Sequence, residues 1–202
     1  MIVYERNLDK MKKSTSLIKS ALFLIVCWLA SGFIILFFQT CYEKFGVIMC
    51  FAFGICSVGA CVCIYGDFAW KLGKKMAVYD DRNKLGDNSS FGLALGAVPT
   101  AINYIFVILL YLSKLGVLGF DFYPYYKTLT FYFVPWTYLA APNTVEKIND
   151  VVMSVPVPIE QLSWGAMAIA TVLPLVFLIT CYLAFLIGYK HIDVKEKVLY
   201  GK

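Results

Sequence analysis

The chain has 202 residues, of which 60% are hydrophobic and 15% are charged, whereas soluble domains are about 45–50% apolar and about 25% charged. A water-soluble core cannot bury this much apolar surface, so the composition excludes a soluble globular protein and predicts an integral membrane protein. The net charge of +5 comes mainly from lysines that flank apolar runs. This arrangement is typical of membrane topology signals, so the lipid bilayer is the expected partner and nucleic acid is not.

The first predicted transmembrane helix is the uncharged run 20–38. As a helix this run extends about 28 Å, close to the roughly 30 Å of bilayer hydrocarbon. The segment before it, 1–19, carries five Lys or Arg residues. A cleaved signal peptide is the competing interpretation, but the apolar run is too long for a signal-peptide core. We therefore predict a basic cytoplasmic segment followed by a membrane span.

The second predicted span is the uncharged run 45–65, which follows a short polar turn at 39–44. Two spans with so short a connection form an antiparallel helical hairpin. Small residues such as Gly54 and Gly59 predict close helix packing, because helices in lipid associate by packing rather than by hydrophobic burial. The charged segment that follows, 66–90, is predicted to be a cytoplasmic loop.

The third predicted span, 91–112, carries one face of small and polar residues. These residues are Gly92, Gly96, Pro99, Thr100 and Asn103. Their spacing of three to four residues places them on one side of a helix, and a G-x-x-x-G face indicates helix contact. Two interpretations stay open. The face is either a packing surface with one hydrogen bond, or the lining of a ligand cavity beside the kink that a proline introduces.

An aromatic stretch follows, with ten aromatic residues among the nineteen of 120–138. A spanning helix needs roughly 17 to 25 apolar residues, but only fourteen residues separate Lys127 from Pro142, and Pro135 interrupts them. We therefore predict that the stretch is not a fifth span. It is expected to be an interfacial or re-entrant segment on the outer face, where Tyr and Trp are favoured.

The distribution of basic residues supports four spans. Of the 18 Lys and Arg residues, 14 lie in 1–19, 66–90 and 190–202, whereas four lie in 39–45 and 113–163. Basic residues concentrate on the cytoplasmic side of membrane proteins. Four spans place the three basic segments together, so we predict that both termini are cytoplasmic and that the loop 113–163 is outside.

A short amphipathic surface helix is predicted after the aromatic stretch, starting at Asn143 and ending before Pro156. Asn143 is a candidate N-cap, Glu146 lies three residues later, and valines and isoleucine recur at helical spacing. The run 164–189 is the fourth predicted span. The predicted fold is therefore an all-α membrane protein with a single four-helix domain, 20–189, and a cytoplasmic tail, 190–202.

The spans lack the chemistry of an enzyme. They contain no Asp, Glu, Lys, Arg or His between their interfacial ends, although intramembrane ion pathways and catalysis depend on such residues. Six of the seven cysteines lie in apolar runs, and no group of residues has zinc-ligand spacing. We therefore expect no catalytic site, no metal and no cofactor.

Part of the chain resembles a loosely defined group of uncharacterised small polytopic bacterial membrane proteins. The resemblance rests on Trp70-Lys71-Leu72-Gly73, on Asp81-Arg82-Asn83 and on the Gly-rich helix opening at Phe91. The group has no assigned activity. The resemblance implies the bacterial cytoplasmic membrane as the location.

The expected function is that of a binding or accessory component of a membrane complex, which contacts lipid, another membrane protein or a second copy of itself. Its predicted outer contact surface consists of Tyr123, Tyr125, Tyr126, Trp136 and Tyr138. A small transporter or substrate-binding membrane subunit, with Thr100 and Asn103 facing a cavity, is the alternative. An immunity-type protein against a membrane-active toxin is a further alternative.

Overall fold

A computed structural model describes residues 2–83, 88–142, 144–148, 151–155 and 157–190. Four of its helical stretches are long and apolar enough to cross a membrane: Lys13–Phe38, Val47–Val78, Phe91–Lys114 and Trp164–Tyr189. The prediction of a multi-pass membrane protein with four such helices is therefore confirmed.

The described elements follow one another in this order along the chain. They are α1 (Ile2–Phe45), α2 (Val47–Asn83), α3 (Phe91–Lys114), α4 (Tyr123–Leu129), a 3-10 turn (Phe131–Phe133), α5 (Val134–Ala140), β1 (Thr144–Ile148), β2 (Val151–Val155), a second 3-10 turn (Ile159–Gln161), α6 (Trp164–Val172) and α7 (Leu175–Tyr189). The last two helices share the fourth candidate span and are separated at Pro174, since a proline cannot donate the helical hydrogen bond.

The connection between the first two helices is shorter than predicted. The predicted turn at 39–44 is helical, and α1 ends only at Phe45. The chain reverses at Gly46, whose φ of 61° is left-handed. A glycine adopts this conformation without the steric cost of a Cβ.

The predicted loop 66–90 is wrong over most of its length, because α2 continues to Asn83. The continuation has its own buried face, which includes Ala69, Met76 and Ala77. The ammonium of Lys71 lies 2.7 Å from the Asp67 carboxylate on the exposed side. The exposed charged residues of this segment, such as Asp67 and Lys71, therefore form the solvated face of an amphipathic helix, whereas Asp80 is buried.

Internal contacts divide the chain into two compact units. The first contains Met1–Ile25, Val62–Thr100 and Leu175–Lys202, and the second contains Val26–Cys61 and Ala101–Pro174.

In the first unit, glycines let α7 approach its neighbours closely. A Cβ added at Gly188 would collide with the backbone oxygen of Trp70 on α2, and one added at Gly96 would lie 2.7 Å from the Cα of Leu178. Hydrogen bonds join the other helices, since Ser20 Oγ donates to the Leu95 oxygen at 2.8 Å and the Tyr65 hydroxyl donates to the Ser20 oxygen at 2.7 Å. The first unit is thus held by backbone contact and buried hydroxyls.

In the second unit, one buried cluster joins α3, α4 and α6. Its central members are Leu110 on α3, Tyr126 on α4 and Met167 on α6. A hydrogen bond of 3.1 Å between the hydroxyls of Tyr111 and Thr171 also joins α3 to α6.

The predicted amphipathic surface helix is wrong, because its residues form an antiparallel β-hairpin. Strands β1 and β2 pair Thr144 with Val155 and Ile148 with Val151. Thr, Val and Ile dominate both strands, and their branched side chains favour extended backbone over helix. The two intervening residues, Asn and Asp, are types that favour tight turns, and both lie outside the described residues, as does the predicted cap at Asn143.

Candidate functional site in the aromatic segment

We define the aromatic segment as residues 120–141. It folds as two seven-residue helices, α4 and α5, separated at Thr130 and by a 3-10 turn. Pro124 and Pro135 stand in the first turns of these helices, where the missing N–H has no helical partner to lose. The two prolines therefore begin helices, although in the sequence they read as interruptions.

The start of the segment is fixed to the end of α3 and to the chain before α6. Ser113 Oγ donates to the Phe120 oxygen and accepts from the Phe122 N–H, both at 3.0 Å. The two oxygens of Asp121 accept main-chain N–H groups, from Tyr123 at 2.8 Å and from Ile159 at 3.1 Å. Asp121 is therefore an anchor of the segment.

The middle of the segment contacts three long helices. Trp28 Nε1 on α1 donates to the Thr128 oxygen at 2.6 Å, and Ser57 Oγ on α2 donates to the Tyr132 oxygen at 3.0 Å. The Tyr132 hydroxyl donates to Asn103 Oδ1 on α3 at 2.8 Å. Asn103 precedes the end of α3 by eleven residues, which corresponds to about 16 Å along a helix.

The end of the segment contacts α1 and α2. The ring of Tyr138 lies 5.3 Å from that of Phe38 and 4.7 Å from that of Tyr42. The Trp136 ring fills the space beside Gly54, where an added Cβ would lie 2.7 Å from the indole. Gly54, which the sequence suggested for helix packing, thus accommodates an aromatic side chain.

Most residues of the predicted outer contact surface are not exposed. Tyr123, Tyr126 and Tyr138 are buried and Trp136 is half-buried, while Tyr125 is 59% exposed. The reason is that the segment folds against the long helices, so one side of α4 enters the cluster around Leu110. Among the five, only Tyr125 is mainly exposed.

The predicted polar face of α3 is divided between the two units. In the first unit, Gly92 and Gly96 lie against α7, and Pro99 and Thr100 are buried. In the second unit, the amide oxygen of Asn103 accepts the Tyr132 hydroxyl. This geometry favours packing over the lining of a cavity.

Lys127 has an unusual position that the sequence analysis did not single out. Its ammonium lies 4.3 Å from the centroid of the Tyr123 ring and 5.5 Å from that of Tyr138, within the range of cation–π attraction. Burial lowers the pKa of Lys127 to about 8, against the opposing effect of Asp121. One feature of the sequence does distinguish Lys127: no other Lys or Arg lies between Lys114 and Lys147.

An apolar groove lies between α1 and the aromatic segment. Its volume is about 310 Å³, and it is lined by Trp28, Leu29, Gly32, Phe33, Ile35, Leu36 and Phe131. The rings of Trp28 and Phe131 stack at 5.2 Å. Phe33 and Leu36 are 69% and 71% exposed, so the groove opens on the outside of its unit.

A polar cluster in the first unit joins the ends of several helices. The buried Asp80 accepts the Tyr189 hydroxyl at 2.7 Å and the side-chain amide of Asn88 at 3.0 Å. The ammonium of Lys13 donates to Asn88 Oδ1 at 2.9 Å. Both hydrogen bonds to Asp80 end on Oδ2, while its Oδ1 is buried without a hydrogen-bond partner among the described residues. We interpret this cluster as a structural tie, because the two bonds offset part of the cost of burying the carboxylate.

Comparison with known proteins finds no protein family that matches the chain, no similar curated protein and no similar solved structure. The geometry of the aromatic segment and its groove therefore carries the functional argument.

Proposed function

We propose that the protein is a non-catalytic binding component of the membrane whose ligand is a lipid. The observation that carries this proposal is the groove between α1 and the aromatic segment. The groove has a volume of about 310 Å³, at the lower end of the roughly 300–1,000 Å³ of ligand pockets. An accessory role in a larger membrane complex is compatible with this activity.

We also propose that the aromatic segment is re-entrant, entering and leaving the bilayer at the outer face. Its support is that the segment begins at the end of α3, contacts Asn103 well inside α3, and returns to Phe38, the last residue of a candidate span. Such irregular backbone at membrane depth is tolerated where protein surrounds it. The segment is largely buried, as this requires.

Four spans and the bias of the Lys and Arg residues support cytoplasmic placement of both termini. The turn at Gly46 and the loop 113–163 would then lie outside. The sequence resemblance favours the bacterial cytoplasmic membrane.

A hydrocarbon chain is the ligand that fits the groove best. The lining side chains are apolar, and the groove lies along the candidate span Lys13–Phe38, so its mouth would face bilayer lipid. A chain in the groove needs no hydrogen-bond partner, and packing contact rather than water exclusion would hold it, as for helices in lipid.

The test is quenching of Trp28 fluorescence by lipids with brominated acyl chains, in reconstituted protein. The other tryptophans also fluoresce, so the contribution of Trp28 is the fluorescence of the wild type minus that of Trp28→Phe at each lipid composition. Gly32→Leu fills the groove and is expected to reduce this quenching. Gly32→Ala is the matched control, since its Cβ would lie at an ordinary 3.7 Å from the Phe131 ring. Equal quenching in wild type and Gly32→Leu would contradict the proposal.

A further inference from the structure

Two phenol hydroxyls of the aromatic segment are buried without a direct hydrogen-bond partner. Tyr123 and Tyr126 are 1% and 0% exposed, and neither hydroxyl makes a hydrogen bond with the residues that the structure describes. Both side chains belong to the buried cluster that joins α3, α4 and α6. They are three positions apart on α4 and therefore share a face of that helix. Since an unpaired hydroxyl is costly in apolar surroundings, most buried polar groups are paired with protein or with water.

Each of the two hydroxyls has a threonine beside it. The side chain of Thr137 interacts with the Tyr123 hydroxyl. The side chain of Thr130 interacts in the same way with the Tyr126 hydroxyl. Neither pair has the geometry of a direct hydrogen bond. Polar groups that lie near each other without bonding directly are commonly bridged by water in proteins.

The hydrogen bonds of the two threonines leave them as acceptors. Thr137 Oγ1 donates its proton to the Val134 oxygen at 3.0 Å, and Thr130 Oγ1 donates to the Tyr126 oxygen at 2.7 Å. Each threonine oxygen can still accept a hydrogen bond, and each phenol can donate one. The missing partner at each position is therefore a molecule that accepts from the phenol and donates to the threonine.

The enclosure of these positions restricts the ligand to a small neutral molecule. Tyr123, Tyr126, Thr130 and Thr137 are each at most 2% exposed. None of the four lines the apolar groove, so a lipid chain in the groove does not supply the missing bonds. Water both donates and accepts through a single oxygen, and buried water in proteins typically pairs polar groups that otherwise have no partner.

We infer that the aromatic segment binds water at two positions, one between Tyr123 and Thr137 and one between Tyr126 and Thr130. Water at these positions pairs the hydroxyls that α4 carries into the cluster, so that the segment can be buried against the long helices. This inference goes beyond the proposed lipid-binding function and does not depend on the groove.

The first test is radiolytic labelling of the wild-type protein in mild detergent. X-rays split bound water, the hydroxyl radical oxidises the nearest side chain, and tandem mass spectrometry assigns the oxidation to single residues. Tyr123 and Tyr126 are expected to be oxidised much faster than Tyr65, which is equally buried but donates its hydroxyl to the Ser20 oxygen. Oxidation of both residues no faster than that of Tyr65 would overturn the inference.

The same labelling separates the inference from the proposed function. Gly32→Leu fills the groove and is expected to leave the oxidation of Tyr123 and Tyr126 unchanged, because neither residue lines the groove. Loss of this oxidation in Gly32→Leu would show that the water belongs to the groove, and the inference would be wrong.

The second test is the melting temperature of Tyr123→Phe and Tyr126→Phe. Each variant removes a hydroxyl that water satisfies, so each is expected to melt about 2–4 °C lower than the wild type. A dry hydroxyl predicts the opposite sign, because loss of an unpaired buried polar group is neutral or stabilising. Tyr125→Phe changes an exposed residue of the same helix and is the control. An unchanged or raised melting temperature in both variants would overturn the inference, whatever binds in the groove.

Discussion

The Tyr132 hydroxyl donates a 2.8 Å hydrogen bond to the side-chain oxygen of Asn103, and both residues are almost fully buried. This bond joins the middle of the aromatic segment to the interior of α3. Because a buried acceptor that loses its donor costs about 1–3 kcal/mol, the bond is well placed to hold the segment at this depth.

Tyr132→Phe is therefore expected to destabilise the protein by about 1–3 kcal/mol, measured by thermal unfolding in detergent. Combining it with Asn103→Leu should recover part of the loss, since the second change removes the acceptor that Tyr132→Phe leaves without this donor. Tyr125→Phe is the control, because Tyr125 is exposed. Equal stability of Tyr132→Phe and Tyr125→Phe would show that the bond does not hold the segment.

Gly54→Ala is expected to lower the melting temperature because its Cβ would lie 2.7 Å from the Trp136 indole. Overpacking of this kind costs typically about 1–3 kcal/mol. Gly59→Ala on the same helix is the control, since no atom lies within 4 Å of its added Cβ, and it is expected to have little effect. Trp136→Leu should relieve the loss in Gly54→Ala. If the two alanine variants melt alike, the contact between Gly54 and Trp136 is wrong.

The lowered pKa of Lys127, about 8, predicts an effect of pH on stability. Between about 8 and the unfolded value of 10.5, the unfolded chain binds more protons at Lys127 than the folded chain. The contribution of this group to the free energy of unfolding should therefore rise with pH in this window. Denaturation of wild type and Lys127→Gln across the window measures it, and parallel pH profiles of the two proteins would contradict the shift.

Tyr189→Phe is expected to destabilise the first unit, because the Tyr189 hydroxyl donates to the buried carboxylate of Asp80 at 2.7 Å. Hydrogen bonds to charged groups contribute about 1.5–3 kcal/mol. Hydrogen exchange of the amides in α7 measures the local effect. Unchanged exchange would contradict the role of Asp80 as a structural tie.

The long helices could be predicted from sequence because length and hydropathy are local properties of a run such as 20–38. The depth of the aromatic segment could not, because it depends on partners distant in sequence, such as Asn103 for Tyr132 and Gly54 for Trp136. The helix predicted after Asn143 is wrong because the spacing of its apolar residues also fits a β-hairpin. The pairing of the two strands cannot be read from that spacing. The position of Lys127 beside the rings of Tyr123 and Tyr138 likewise depends on the fold of the segment and not on a local sequence pattern.

The most direct test of the account uses a phospholipid with a photoactivatable group in its acyl chain, cross-linked to the reconstituted protein and mapped by mass spectrometry. We predict that adducts concentrate on residues 28–36 and on Phe131, and that Gly32→Leu removes them while Gly32→Ala keeps them. Adducts spread evenly over lipid-exposed residues such as Ile48 and Ile55, with no effect of Gly32→Leu, would contradict a lipid-binding groove beside the aromatic segment.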